Sequence, residues 1–189
     1  MYGKELTLAD LEKVARKLKW CVPALTDAYV IGSGAVAALH PELPGELRFS
    51  VDFDFVPQNL PILYFDSMLV DRFSEFRDTE LVYADYATPD TVRCTPPGWK
   101  ERAHQIILPE GLVLHVLDVC DIAYNKLYAG RPKDIVWVRG LLGTGWRSCM
   151  RAIRWLLRTG KKWSAAWRKS GLKPDSRTGV ATARPSVSV

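Results

Sequence analysis

Residues 47–56, LRFSVDFDFV, set the hardest condition on this fold. Large apolar side chains alternate with polar ones, and that period of two is the mark of a half-buried strand. Residues i and i+2 of a strand point to the same face. Val51, Phe53 and Phe55 are therefore expected to face a core, while Asp52 and Asp54 project together from the other side. Two carboxylates so close repel each other, and burying them would push one up until it held a proton. Two readings resolve the conflict. Either the pair is solvated at an exposed strand end, or it holds a divalent cation. Mg²⁺ suits the second reading, because it typically takes one or two carboxylates and completes its shell with substrate phosphates and water. Such sites serve phosphoryl-type transfer, where attacking and leaving oxygens must both be held.

Upstream, Asp27–Ile31 is a short apolar stretch, and Gly32-Ser33-Gly34 turns it into the helix-like AVAALH. Glycines there let backbone approach a phosphate, the helix N–H groups favour an anion, and the Ser33 hydroxyl can donate to it. An ordinary Gly-Ser turn before a helix has the same composition. Taken together, one element offers anion-binding groups and the next strand offers metal ligands.

The rest of the chain supplies the frame. Residues 7–19 read as a helix, with Thr7 and Asp10 spaced as a cap and Leu8, Leu11, Val14, Ala15 and Leu18 at helical intervals. Leu47–Val56 reads as one strand, residues 62–77 as a helix, and Glu80–Tyr86 as a second strand. Short strands are expected near 103–108 and 112–117. A helix from Asp118 to Ala129 should stop at Gly130, and Pro132 should open another. His40, His104 and His115 lack ligand spacing, and Trp99 reads as a packing residue.

Charge divides the chain. Residues 1–140 hold 15 Lys/Arg against 20 Asp/Glu, whereas residues 141–189 hold 11 against a single acid, Asp175. The basic part contains Trp146, Trp155, Trp163 and Trp167. Aromatics among cations suit stacking on unpaired bases and holding phosphates; a helix packing its own aromatics has the same pattern. Residues 146–163 read as an amphipathic helix with Arg147, Arg151, Arg154 and Arg158 along one side, and the stretch after Gly171 as disordered. The expected organisation is thus a domain over 1–142, a basic Trp-rich appendage over 143–170 and a tail over 171–189. No apolar run approaches the roughly 18–20 residues that span a bilayer. The four scattered cysteines read as free thiols, and the expected location is cytoplasmic.

Gly32-Ser33-Gly34, a short helix and a strand carrying Asp-x-Asp resemble the signature of the polymerase-beta-like nucleotidyltransferase superfamily. LDVCDIAYNKLYAGRPKD (117–134) is similar to the DLxxxKLxAxRxKD segment of the AbiEii/MenT-like toxin nucleotidyltransferases and their single-domain relatives. TPPGWKERAH (95–104) is similar to their LPxGWxxR stretch, so the resemblance spans about residues 27–142. It implies a small mixed α/β sheet with helices mainly on one side. It further implies transfer of a nucleoside monophosphate from an NTP to an acceptor hydroxyl. In that scheme Asp52 and Asp54 bind Mg²⁺ or Mn²⁺, and Gly32 and Ser33 hold triphosphate oxygens. Lys126 contacts phosphate, Asp134 sets the site or orients Lys126, and Arg48 and Arg131 are supporting cations. Asp85 is the candidate third carboxylate, as base or metal ligand. The implied acceptor is RNA, above all the tRNA end, and the implied protein partner is an antitoxin. Protein or small-molecule acceptors belong to other enzymes of the superfamily. The rival from another class is a catalytically inactive module that contacts RNA or a partner protein through its basic tail.

Overall fold

The first long helix is written into its opening residues. β1 (Lys4–Glu5) leads into α1 (Leu8–Cys21). Thr7 Oγ1 accepts from the Asp10 backbone N–H at 3.2 Å, and the Asp10 carboxylate accepts from the Thr7 N–H at 2.9 Å. This reciprocal cap satisfies donors the helix cannot satisfy itself. Leu11, Val14, Ala15 and Leu18 are buried, as their spacing requires. Leu8 is 40% exposed instead, because Leu6, just before the cap, fills the core at that end.

The computed structural model describes residues 3–60, 69–92, 95–146, 173–174 and 181–182. After α1 come β2 (Asp27–Ile31), α2 (Gly32–Leu39), α3 (Gly45–Arg48), β3 (Phe49–Ser50) and β4 (Asp52–Pro57). Next are α4 (Glu75–Glu80), β5 (Tyr83–Tyr86), α5 (Trp99–Arg102), β6 (His104–Ile107), β7 (Val113–Val116), α6 (Val119–Ala129) and α7 (Pro132–Gly143). The fold is mixed α/β. Its main sheet has the order β5-β4-β2-β7-β6. β2 runs antiparallel to β4 and parallel to β7, β4 is parallel to β5, and β6 is antiparallel to β7. Ala28 through Ile31 are buried on both pleat faces, as suits a middle strand. Phe53, Phe55, Leu114 and Val116 are fully buried beside them.

The expected single strand over Leu47–Val56 is broken. Residues 45–48 form α3, β3 pairs antiparallel with β1 (Glu5↔Phe49, Lys4↔Ser50), and only from Asp52 does the chain join the main sheet. The apolar run is shared between two sheets, and Val51 is the bend between them. Arg48 fixes the bend's approach: its Nε donates to the Leu43 carbonyl at 2.8 Å and its guanidinium pairs with Glu5.

Of the helix expected over 62–77, residues 62–68 lie outside the described residues. The helix described here begins at Glu75, capped by Ser74, whose Oγ accepts from the Arg77 N–H at 3.1 Å. The strand expected from Glu80 starts at Tyr83, because Glu80 closes α4 and Leu81 turns the chain in the left-handed region, φ 58°. The later elements fall where expected. Gly111 turns the β6–β7 hairpin, Gly130 ends α6 at φ 64°, and Pro132 opens α7.

The chain divides into compact units of Met1–Ile122 and Ala123–Val189, with the boundary inside α6. The second unit also holds a short antiparallel pair, β8 (Lys173–Pro174) with β9 (Ala181–Thr182), within the stretch expected to be disordered. The expected arginine-lined helix lies outside the described residues, apart from Trp146. Among the described residues no helix is long and apolar enough to cross a membrane.

Candidate active site

The antiparallel register of β2 and β4 places Ile31 opposite Asp54, so α2 begins directly beside the Asp-x-Asp strand. Gly32-Ser33-Gly34 is the first turn of that helix, not a turn ahead of it. Gly32 has φ 80°, and a Cβ on it would lie 2.0 Å from Asp54 Oδ2. A Cβ on Gly34 would lie 2.3 Å from the Asp52 carbonyl oxygen and 2.8 Å from Phe53 Cδ1. Both positions need glycine because backbone meets backbone, or backbone meets carboxylate, at van der Waals limits. The cap residue of α2 is Ile31, which makes no side-chain cap hydrogen bond. The helix's first N–H groups are the donors an anion would meet.

Asp52 and Asp54 share one face of β4 and are half-buried, while Phe53 and Phe55 fill the core behind them. Asp52 is held by hydroxyls. Ser50 Oγ donates to its Oδ1 at 3.2 Å, and Tyr83 Oη donates to its Oδ2 at 3.3 Å. Burial, and then the charges of Asp52 and Asp85, push the Tyr83 phenol up to about 12, so it stays protonated and donates. Ser50 has one proton and gives it to Asp52. In its 3.3 Å contact with Ser33 Oγ it must therefore accept. Ser33, expected to hold a phosphate oxygen, has its hydroxyl against Ser50 at the first turn of α2.

Asp85 sits on β5 in register with Asp54, exposed, its Oδ1 accepting from the Tyr86 N–H at 2.9 Å. Among the described residues no group of three or more His, Cys, Asp or Glu side chains is placed to hold a metal. Arg48 is engaged with Leu43 and Glu5, as described above. The donor set at β4 is therefore two carboxylates on one face beside a glycine-lined helix start. Two carboxylates, with phosphate oxygens and water completing the shell, fit Mg²⁺ or Mn²⁺.

In the second unit, α6 and α7 bring three further expected residues together. Asp134 is fully buried, Lys126 Nζ lies 3.2 Å from its Oδ1, and Arg131 Nε pairs with its Oδ2. Lys126 also lies 5.0 Å from the centre of the Trp137 ring, a cation–π distance. Lys126, Arg131 and Asp134 thus form one cluster around the Asp134 carboxylate.

Sequence reading missed the pairing of Arg102 with Asp121. The guanidinium grips the carboxylate at two points, 2.9 Å from Nε to Oδ2 and 2.7 Å from Nη2 to Oδ1, and Asp121 is only 1% exposed. Arg102 also donates to the carbonyl of Pro97 at 3.1 Å. This bridge joins the TPPGWKERAH stretch to the DIAYNK helix. The available signal was an aspartate among the apolar positions of α6, which needs a partner to be buried. Trp99 packs as expected, its ring 4.6 Å from that of Tyr29. His115 pairs with Asp27 at 3.1 Å and His40 with Glu42 at 3.0 Å.

The chain matches no protein-family model and no curated protein.

Proposed function

We propose that this chain is a metal-dependent nucleotidyltransferase that moves a nucleoside monophosphate from an NTP to an acceptor hydroxyl. The observation that carries the reading is the carboxylate pair on β4. Asp52 and Asp54 point to one face, Asp52 is bonded to hydroxyls and to no cation among the described residues, and the start of α2 lies alongside. A half-buried Asp52 held by neutral hydroxyls has charge that a cation can neutralise. The start of α2, with no cap bond from Ile31, has the opposite need.

Asp52 and Asp54 would hold Mg²⁺ or Mn²⁺, which when bound supplies positive charge to the triphosphate. The first N–H groups of α2 bind phosphate oxygens, and Gly32 lets them approach closely. The acceptor oxygen forms a bond to the α-phosphorus as the bond to the bridging oxygen breaks, and pyrophosphate leaves. We assign the acceptor's proton to Asp85, in register with Asp54 and open to solvent. Holding the reactants in line and fixing charge are the larger part of such catalysis. The resemblance to toxin nucleotidyltransferases favours RNA as acceptor, the tRNA end first, with an antitoxin as protein partner. The basic stretch after residue 141 suits a polyanion.

The test uses the full chain with Mg²⁺ or Mn²⁺ and each α-labelled NTP, offered total RNA and cell extract. Label is expected in RNA, reduced roughly 100-fold or more in Asp52→Ala and in Asp54→Ala. Label in protein instead would redirect the acceptor. An absence of both turnover and NTP binding would replace the enzyme with a binding module.

A further inference from the structure

We propose that Tyr83 and Ser50 are positioning residues that lock the plane of the Asp52 carboxylate for a divalent cation. The inference rests on the metal-site reading above and assigns roles to two residues that the motif does not contain.

The register places Tyr83 there. β4 and β5 run parallel with Asp52 paired to Tyr83, so both side chains stand on the same face of neighbouring strands. Val82 and Ala84 turn the other way, into the core. A tyrosine has the length to reach the outer oxygen of a neighbouring aspartate, and here it does, at Oδ2.

Ser50 arrives by a different route. In an unbroken strand, residues 50 and 52 would stand about 6.6 Å apart along the chain, side by side on one face. The bend at Val51 instead assigns Ser50 to the β1–β3 pair and folds its hydroxyl onto Asp52 Oδ1. The break in the strand, which gains nothing for the main sheet, thereby provides the second donor.

The two donors take different oxygens. An ionised carboxylate offers about four lone-pair sites, and each oxygen here keeps one of its own. Rotation of the carboxylate about its Cβ–Cγ bond would break both bonds, so the remaining lone pairs keep a fixed direction. Neutral donors also leave the charge of Asp52 uncompensated. A lysine or arginine in their place would hold the carboxylate equally well but would repel a divalent ion. Ser33, donating to Ser50, ties this arrangement to the first turn of α2. At 3.2 and 3.3 Å both bonds to Asp52 are long for O–H···O, so each contributes little to folding. Their effect belongs to ligand geometry, where outer donors on a metal-binding carboxylate typically matter 10- to 100-fold.

The experiment is a titration with Mn²⁺ alone, followed by electron paramagnetic resonance, on the full chain. Wild type, Asp52→Ala, Tyr83→Phe, Ser50→Ala and Ser50→Thr are compared, with thermal unfolding recorded for each. We expect Asp52→Ala to lose the site. Tyr83→Phe and Ser50→Ala should each weaken Mn²⁺ binding about 10-fold at nearly unchanged Tm, and Ser50→Thr should restore it. Should Tyr83→Phe fail to fold, Ser50→Ala and its threonine rescue decide the matter alone. If Asp52→Ala loses Mn²⁺ while Tyr83→Phe and Ser50→Ala bind as wild type does, the positioning role is overturned and the metal site stands. If the wild type takes up no Mn²⁺, or Asp52→Ala binds it unchanged, the metal-site reading falls and this inference falls with it.

Discussion

Asp52 and Asp134 are both acids in folded surroundings, and the protein treats them in opposite ways. Asp134 is fully buried and gripped by two cations, Lys126 and Arg131. Asp52 is half-buried and held by two neutral hydroxyls. Asp121 follows the Asp134 pattern, buried against Arg102. The difference separates charge that the fold neutralises from charge it leaves available. A buried carboxylate paired within the chain is part of the scaffold. A carboxylate oriented by neutral hydroxyls keeps lone pairs for a further partner, as the proposed metal site requires.

The sharpest way to break that comparison is to remove each acid in turn. Asp134→Ala leaves two cations facing a buried gap and should cost about 3–5 kcal/mol, read as a drop in the urea midpoint. Asp52→Ala should cost under about 1 kcal/mol by the same measurement, and should raise stability if the repulsion with Asp54 outweighs the lost hydroxyl contacts. Equal losses at the two positions would erase the distinction.

A smaller effect is expected at Gly32. Alanine there must take φ 80° and place its Cβ 2.0 Å from Asp54 Oδ2. Asp54 can swing aside, so the stability cost should be about 1–2 kcal/mol, whereas Mn²⁺ binding should be lost with the displaced carboxylate. Calorimetry of Gly32→Ala reads both quantities. Retained binding would mean that the glycine serves the backbone alone.

The smallest effect separates the half-buried acid of a helix cap from both of these. Burial pushes the Asp10 carboxyl up, but the Lys4 ammonium and the Thr7 donors outweigh it and hold the group below its ordinary value. A lowered folded value means the cap contributes fully above the unfolded value of about 3.9. That contribution is lost as pH falls through the lower folded value. Asp10→Asn should therefore lose about 1 kcal/mol at neutral pH and converge with wild type in acid. Unfolding curves taken from pH 7 down to pH 2 check it.

Local signals were legible wherever one element decided its own shape. The α1 cap, the glycine stop after α6 and the proline start of α7 each depend on neighbours within four residues, and each lies where periodicity puts it. The Leu47–Val56 strand did not hold, because which sheet a strand joins depends on distant partners. Glu5 and Lys4 claim Phe49 and Ser50, some 45 residues away in sequence. No alternation of side chains within the run records that competition.

For the candidate site, the chain alone determined that Asp52 and Asp54 share a face, since the pleat of any strand requires it, and that glycines precede a short helix nearby. Lys126, Arg131 and Asp134 were named only through the family resemblance, across the Gly130–Pro132 break. Only the tertiary structure decided that Ile31 stands opposite Asp54, that Tyr83 and Ser50 grip Asp52, and that Arg102 answers Asp121. The physical reason is that spacing within one element follows from backbone geometry. The partner a charge meets across strands is set by register, and register is an outcome of the whole sheet.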